Sequence, residues 1–389
     1  MSRSVENTTV AVIGAGIVGL TLATALREVG IDCAVYEKTA AFGAVGAGIQ
    51  LAPNAGRLLH RLGMGDALAE VAVRSRAIEV RGGLTGEVLG RVPLDDCESR
   101  YGVPYYLLAR PDLHAVLAGA VPAEVVRFGK AARAYEETAD GVEVEFTDGT
   151  SVRADVVVGA DGIRSVVRAG RVRDEPVYSG LAVYRGMVPT DRLPAFFGEH
   201  RSVVWTGPGM HFVHYPVAAG RLVNFVATVP AEQWHQESWT EPGEVRDVLR
   251  AFAGWDEGIH TLVRAADEVT LWALHTRNAD LRWSTGRTTL AGDAAHPMLP
   301  FMAQGANQGI EDAVTLASAL ARGATSDVPA ALRTYEEARR PRTLAVQRMS
   351  TAAGSSYHEE SGPQEGGATP VDSLRAVAEL FDHDIELVG

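Results

Sequence analysis

Val10-Ala11-Val12-Ile13-Gly14-Ala15-Gly16-Ile17-Val18-Gly19-Leu20 is the stretch on which the fold turns. A β-branched run over 9–13 enters a glycine turn, and residues 17–29 continue with apolar residues at helical spacing. Residues 32–37 supply a second strand, so the first forty residues read as a βαβ unit. Glycines at these positions allow a tight turn and let a pyrophosphate approach the helix N–H groups. Gly14, Ala15, Gly16, Ile17 and Gly19 are therefore candidate cofactor-binding residues. Glu37 closes the second strand, where its carboxylate suits an adenosine ribose and disfavours a 2′-phosphate; Lys38 beside it is counted with the same site. Taken alone, this motif admits NAD, FAD or a purely structural turn.

Working outward, 389 residues exceed one ordinary core and favour two lobes. Hydrophobic residues at 46% and charged residues at 22% are those of a globular enzyme, and mean hydropathy near zero shows no membrane bias. A net charge of −13 repels nucleic acid and anionic lipid, so neither is expected as a partner. Cys33 and Cys97 alone make no disulfide framework or cysteine metal site, and no metal is expected. With no basic-then-apolar leader pattern, the expected location is the cytoplasm, as a monomer or homodimer.

Further along, 53–62 reads as a helix, 77–92 as two antiparallel strands, and 110–117 as a helix opening on Pro111. Strands are expected at 143–146, 151–154, 156–158, 182–188, 202–205, 211–217 and 222–229, then helices at 238–252 and 256–266. After a short strand at 288–290, helical spacing covers 311–320 and 330–347, interrupted by Pro341. A Gly/Pro-rich linker at 361–369 precedes a last helix at 371–381.

Two later stretches narrow the reading. Val156-Val-Val-Gly-Ala-Asp161-Gly162-Ile-Arg164-Ser165-Val-Val-Arg168 and Gly292-Asp293-Ala-Ala-His296-Pro297, in order after the first motif, resemble the fingerprints of single-component FAD-dependent aromatic monooxygenases with the para-hydroxybenzoate hydroxylase fold. Salicylate, 3-hydroxybenzoate and 6-hydroxynicotinate monooxygenases are nearest in pattern. The resemblance spans residues 10 to about 340. It implies an α/β fold: a Rossmann-like FAD-binding domain (1–73, 101–174 and 278–389, with a C-terminal helical region) interleaved with an antiparallel-sheet substrate domain (74–100 and 175–277). It also implies FAD as cofactor, transient NADH or NADPH as reductant, and O2 transferred through a flavin hydroperoxide to a small aromatic or heteroaromatic ring, carboxylic acids among them. A reductase or dehydrogenase of the same fold, and a non-enzymatic flavin-binding protein, are the alternatives.

On this resemblance Asp293 faces the ribityl hydroxyls, Gly305, Ala306 and Asn307 offer N–H groups to the flavin pyrimidine edge, and Arg110 lies near the FAD phosphates, with a surface salt bridge as its other reading. Gln50 and Ala132 are further cofactor contacts by position. Asp161, Arg164 and Arg168 have a structural reading beside their role with FAD and the nicotinamide. For the reacting site, strand alternation puts His211 and Tyr215 on one face of 211–215 and His214 on the other. His211 and Tyr215 are the candidate catalytic and substrate-binding pair, each with ordinary core packing as its alternative. His296 is read as structural. Arg185 is a candidate partner for a substrate carboxylate, or a bridge between lobes. Pro300 and Phe301 are expected over the ring, with Phe301 standing where several relatives carry histidine; this removes one acid–base group and makes the pocket more apolar.

Overall fold

Three short apolar strands ending in glycine turns lie side by side and set the position of everything else. In the computed structural model, which describes residues 5–43, 46–231, 241–278, 281–322, 327–358 and 369–387, Val5–Ile13 pairs in parallel with Ser151–Gly159, which pairs in parallel with Thr288–Leu290. Ile13 is in register with Gly159, and Gly159 with Leu290. The three motifs therefore leave the sheet at one carboxyl edge, where open α/β sheets bind ligands. Cys33–Tyr36 and Val126–Arg127 extend the sheet on one side; Val142–Phe146 and Ala132–Glu137 extend it antiparallel on the other. The helix Ile17–Glu28 buries Leu20, Leu22, Ala23 and Leu26 almost completely, against this sheet and the helix Gly305–Arg322.

An eight-stranded sheet runs Glu241–Gly243, Val269–Thr276, Val177–Pro189, Leu222–Pro230, Met210–Val217, Arg201–Gly207, Ala77–Gly82 and Val88–Pro93. Its pairs are antiparallel except that between Arg201–Gly207 and Ala77–Gly82. Alternation along its strands gives two apolar faces. One, with Phe212, Phe225 and Ala227, packs under the helices Val245–Ala251 and Glu257–Arg264. The other, with Tyr215, Val204 and Trp272, faces the C-terminal helices and the segment around Phe301. A small sheet of Gly48–Leu51, Tyr106–Ala109 and Val73–Arg74 is made from segments interleaved in sequence with both large sheets.

Two expectations are corrected. The helix expected at 238–252 is confined, among the described residues, to Val245–Ala251: Pro242 lacks a donor and Gly243 disfavours helix, and Glu241–Gly243 instead pairs with Val269–Leu271. Pro341 does not interrupt its helix, which runs unbroken from Val328 to Tyr357. Contacts on both sides of the proline hold it: Arg339 bonds to Asp312, and Ser350 Oγ donates to the Leu299 carbonyl at 2.6 Å. Residues 232–240, and residues 361–368 of the linker expected at 361–369, lie outside the described residues. The last helix is Pro370–Glu379, opened by a capping box between Thr369 and Asp372. Among the described residues no helix is long and apolar enough to cross a membrane.

Candidate active site

The first motif is shaped by its own backbone. Gly14 has φ of +104°, and a Cβ there would lie 2.5 Å from the Ala160 carbonyl oxygen; one on Gly19 would lie 1.9 Å from the Gly14 oxygen. Glu37 braces the turn, accepting from the N–H groups of Ala15 and Thr39, each at 2.9 Å. A Cβ on Gly16 would meet nothing within 4 Å, so the helix N-terminus opens onto free space.

The second and third motifs are fastened to each other. Asp161 Oδ2 accepts from the Val166 N–H at 2.7 Å and caps the next turn, while burial pushes its pKa up. Arg168 is fully buried: it pairs with Asp174 and donates to the carbonyls of Ala294 (3.1 Å) and Ala295 (3.0 Å). Its role is structural. Arg164 is exposed. Beneath the third motif lies a buried charge network. Asp312 accepts from the Gly292 N–H at 2.9 Å, from His296 Nε2 and from Arg339 Nε at 2.8 Å; Arg339 also bonds to Glu311. His296 thus supports the turn that presents Asp293.

A cavity of about 390 Å³ joins these turns to the inner face of the eight-stranded sheet. Its cofactor end is lined by Gly16, Ile17, Arg110, Asp293, Gly305 and Ala306. Asp293 has accessible surface, but that surface looks into the cavity; surrounding protein raises its pKa by desolvation, against the charges of His296 and Arg110. Arg110 makes no ion pair among the described residues. The helix Gly305–Arg322 starts at this end, its first N–H groups without intrahelical partners, and Gly305 and Ala306 line the cavity here. A cradle without side-chain obstruction at Gly16, an available cation, a carboxylate and a helix N-terminus fit the pyrophosphate, ribityl chain and pyrimidine edge of FAD.

Elsewhere in the expected set, the Asn307 side chain is spent on structure, donating to the carbonyls of Gln50 (3.0 Å) and Ala303 (2.7 Å) and accepting from the Ala52 N–H. Gln50 lines the cavity, with its amide bonded to Tyr105 (2.8 Å) and Ser202 (3.3 Å). Lys38 is exposed and Ala132 begins an outer strand of the first sheet; neither reaches the cavity.

At the far end, His211 and Tyr215 share the cavity face of their strand. His214 points the other way, where Trp205 Nε1 donates to its Nδ1 at 3.1 Å. Burial, then Arg201 and Arg81, push the His214 pKa down to about 3. Tyr215 approaches the strand Gly48–Leu51 so closely that a Cβ on Gly48 would lie 2.5 Å from its hydroxyl; burial raises its pKa. Arg185 stacks over Trp272 at 4.4 Å and has no carboxylate partner among the described residues. Burial pushes its pKa down to about 10, with Arg110 adding to the effect and Tyr215 opposing it. Pro300 and Phe301 cover the same space, with the Phe301 ring edge-on to His211 at 5.2 Å.

Sequence reasoning missed Thr228, His358, Trp272 and Tyr357. Thr228 Oγ1 lies 3.1 Å from His211 Nε2, and His358 Nε2 lies 2.8 Å from His211 Nδ1. Alternation along 222–229 places Thr228 on the face of Val226, a signal that was readable. His358 sits beyond the expected end of its helix, 147 residues from His211 in sequence.

The sequence family described as FAD binding domain matches residues 7–350. The chain is 48% identical over 357 residues to 3-amino-4-hydroxybenzoate 2-monooxygenase PtmB3 of Streptomyces platensis, covering 92% of this chain and 90% of that protein. It is 36% identical to the 6-hydroxynicotinate 3-monooxygenase of Bordetella bronchiseptica, over 88% and 90% of the two chains. Among solved structures, Klebsiella pneumoniae HpxO complexed with FAD and uric acid is 30% identical with a TM-score of 0.82, covering 97% of this chain and 93% of that one.

Proposed function

The chain belongs to the FAD binding domain family and is a flavin-dependent aromatic monooxygenase, and from that premise we propose that it hydroxylates an aromatic acid bearing a ring hydroxyl, with NAD(P)H as reductant. The observation that carries the choice of an acid is Arg185: a half-buried guanidinium that faces the cavity, desolvated by the surrounding protein and without a protein carboxylate among the described residues. A buried charge is costly unless paired, and a substrate carboxylate supplies the missing partner with charge-assisted hydrogen bonds. The substrates named for the relatives, 3-amino-4-hydroxybenzoate and 6-hydroxynicotinate, both carry a ring carboxylate and a hydroxyl. 3-Amino-4-hydroxybenzoate is the first candidate, on the 48% identity.

Reduction by the nicotinamide and activation of O2 are the chemistry that FAD supplies when bound. Gly16, Arg110, Asp293 and the N–H groups at Gly305 and Ala306 hold it. Arg185 anchors the carboxylate and so fixes which ring carbon is presented. Trp272 and Phe301 line the apolar part of the site, and exclusion of water there would suppress side reactions. His211 and Thr228 receive the ring hydroxyl proton, which makes the ring more electron-rich.

The test is substrate-stimulated NADH and NADPH oxidation by FAD-loaded enzyme with 3-amino-4-hydroxybenzoate, 3-hydroxybenzoate and 6-hydroxynicotinate, each beside its analogue lacking the carboxylate. Expected is one 18O atom from O2 in the product of at least one acid, and loss of stimulation with the decarboxylated analogues. Equal turnover with and without the carboxylate would remove Arg185 from substrate recognition.

A further inference from the structure

One end of the cavity is closed by a helix from the C-terminal part of the chain. Leu374 and Val377, three residues apart on Pro370–Glu379, share a face of that helix and line the cavity, with only 5% and 2% of their surface exposed. The family match ends at residue 350, so neither belongs to the stretch on which membership rests. Both pack with Ile78, Val204 and Tyr105 in one apolar cluster, and all five line the cavity.

Sheet order places this wall opposite Arg185. Between the strand Val177–Pro189, which carries Arg185, and the strand Ala77–Gly82, which carries Ile78, stand three others. Four steps of about 4.8 Å separate the two backbones by about 19 Å. The helix packs on Ala77–Gly82 and on the edge strand Val88–Pro93, where a Cβ on Gly90 would lie 2.4 Å from Val371 Cγ2. A ring whose carboxylate meets Arg185 therefore turns its other edge toward Ile78, Leu374 and Val377, which carry no charge and offer no hydrogen bond.

A wall limits what fits only where it cannot retreat, and this one is fastened on both sides. Ser373 Oγ lies 3.0 Å from Ser356 Oγ on the helix Val328–Tyr357. Beyond Leu380 the chain is clasped to the helix Pro53–Arg61: Arg57 donates to the carbonyls of Phe381 (2.6 Å) and His383 (2.7 Å), and Arg61 forks onto Asp384 at 2.7 and 2.6 Å. Phe381 is 1% exposed, edge-on to Tyr101 at 5.8 Å. Resting on the reading of this cavity as the site of an aromatic acid, we infer that Leu374 and Val377 are specificity-determining residues: they set how large a substituent the ring carries on the edge turned away from its carboxylate. Small groups such as amino or hydroxyl fit there, and longer alkyl groups are refused.

The test compares 4-hydroxybenzoate with 3-propyl-4-hydroxybenzoate, and 3-hydroxybenzoate with 4-propyl-3-hydroxybenzoate, as substrates of the FAD-loaded full chain. The quantity read is the ratio of kcat/KM for hydroxylated product, propyl acid over parent. One methylene in an apolar pocket changes kcat/KM by about tenfold or more. Leu374→Ala and Val377→Ala should therefore raise the ratio by about tenfold in at least one pair. Leu374→Val, a milder change, keeps the test open where a larger truncation fails to retain FAD. A helix that merely holds the fold together would lower turnover of parent and propyl acid alike and leave the ratio where it was. A rise of less than about threefold in every variant that retains FAD would overturn the assignment while leaving the substrate site standing. If the native enzyme hydroxylates none of the parent acids or 3-amino-4-hydroxybenzoate, the reading of the site falls, and the assignment with it.

Discussion

Arg185→Met should make the ligand-free enzyme more stable and the liganded enzyme weaker. Burial holds the guanidinium pKa down to about 10, which at about 1.4 kcal/mol per pKa unit corresponds to roughly 3 kcal/mol of penalty for carrying the charge. Methionine removes the penalty and keeps much of the apolar stem, but loses the stack on Trp272, worth about 1–2 kcal/mol. The net gain is roughly 1–2 kcal/mol. With an unfolding entropy of about 2.1 cal/mol/K per residue, a chain of this length should gain about 1–3 °C in Tm. Binding moves the other way. Loss of a charge-assisted pair to the substrate carboxylate costs about 2–4 kcal/mol, or roughly 30- to 1000-fold in affinity. Thermal unfolding of the FAD-loaded protein, scanned with and without saturating 3-amino-4-hydroxybenzoate, reads both effects at once. A lower Tm in the free variant, or a ligand-induced shift as large as the native one, would refute the claim that Arg185 is a stability cost kept for a carboxylate.

Other expectations test the supporting structure. His214 has a folded pKa of about 3, below its unfolded value, so its stabilisation is complete above the unfolded pKa near 6.5 and is lost as pH falls toward 3. Between pH 7 and 5, His214→Gln should therefore lose about 2 kcal/mol less stability than the native chain in urea titrations. Arg339→Met leaves Glu311 and Asp312 buried without their cation and should cost about 3–5 kcal/mol; FAD retention on gel filtration should fall as well, because Asp312 holds the Gly292 N–H. In the hairpin turn, exposed Ala219 adopts φ of 53°, so Ala219→Gly should raise stability by about 1 kcal/mol, measured as a higher Tm.

Much of the fold was legible because it rests on local signals. The β-branched runs, the glycine turn at Gly14 and the alternation at 211–217 fall on observed elements with small shifts at their ends. The face shared by His211 and Tyr215 followed from a period of two. Misreadings occurred where distant contacts outweigh local preference. Pro341 stays within a helix that Arg339 and Ser350 tie down on either side. For Arg168, which the sequence left open between cofactor handling and structure, the carbonyls of Ala294 and Ala295 decide for structure.

The amino-acid sequence by itself determined a dinucleotide-binding strand-turn-helix unit, because a turn that admits a pyrophosphate requires glycine at fixed spacing, and the resemblance carried by the Asp161 and Asp293 stretches pointed to a flavin. Only the tertiary structure decided how those turns act together. Parallel register between Ile13, Gly159 and Leu290 brings three stretches to one sheet edge, and the eight-stranded sheet delivers Arg185 to the cavity without a carboxylate partner. The same is true of His211 and His358, which meet at 2.8 Å across 147 residues. No local pattern encodes that meeting, since it depends on where a long helix ends against a sheet.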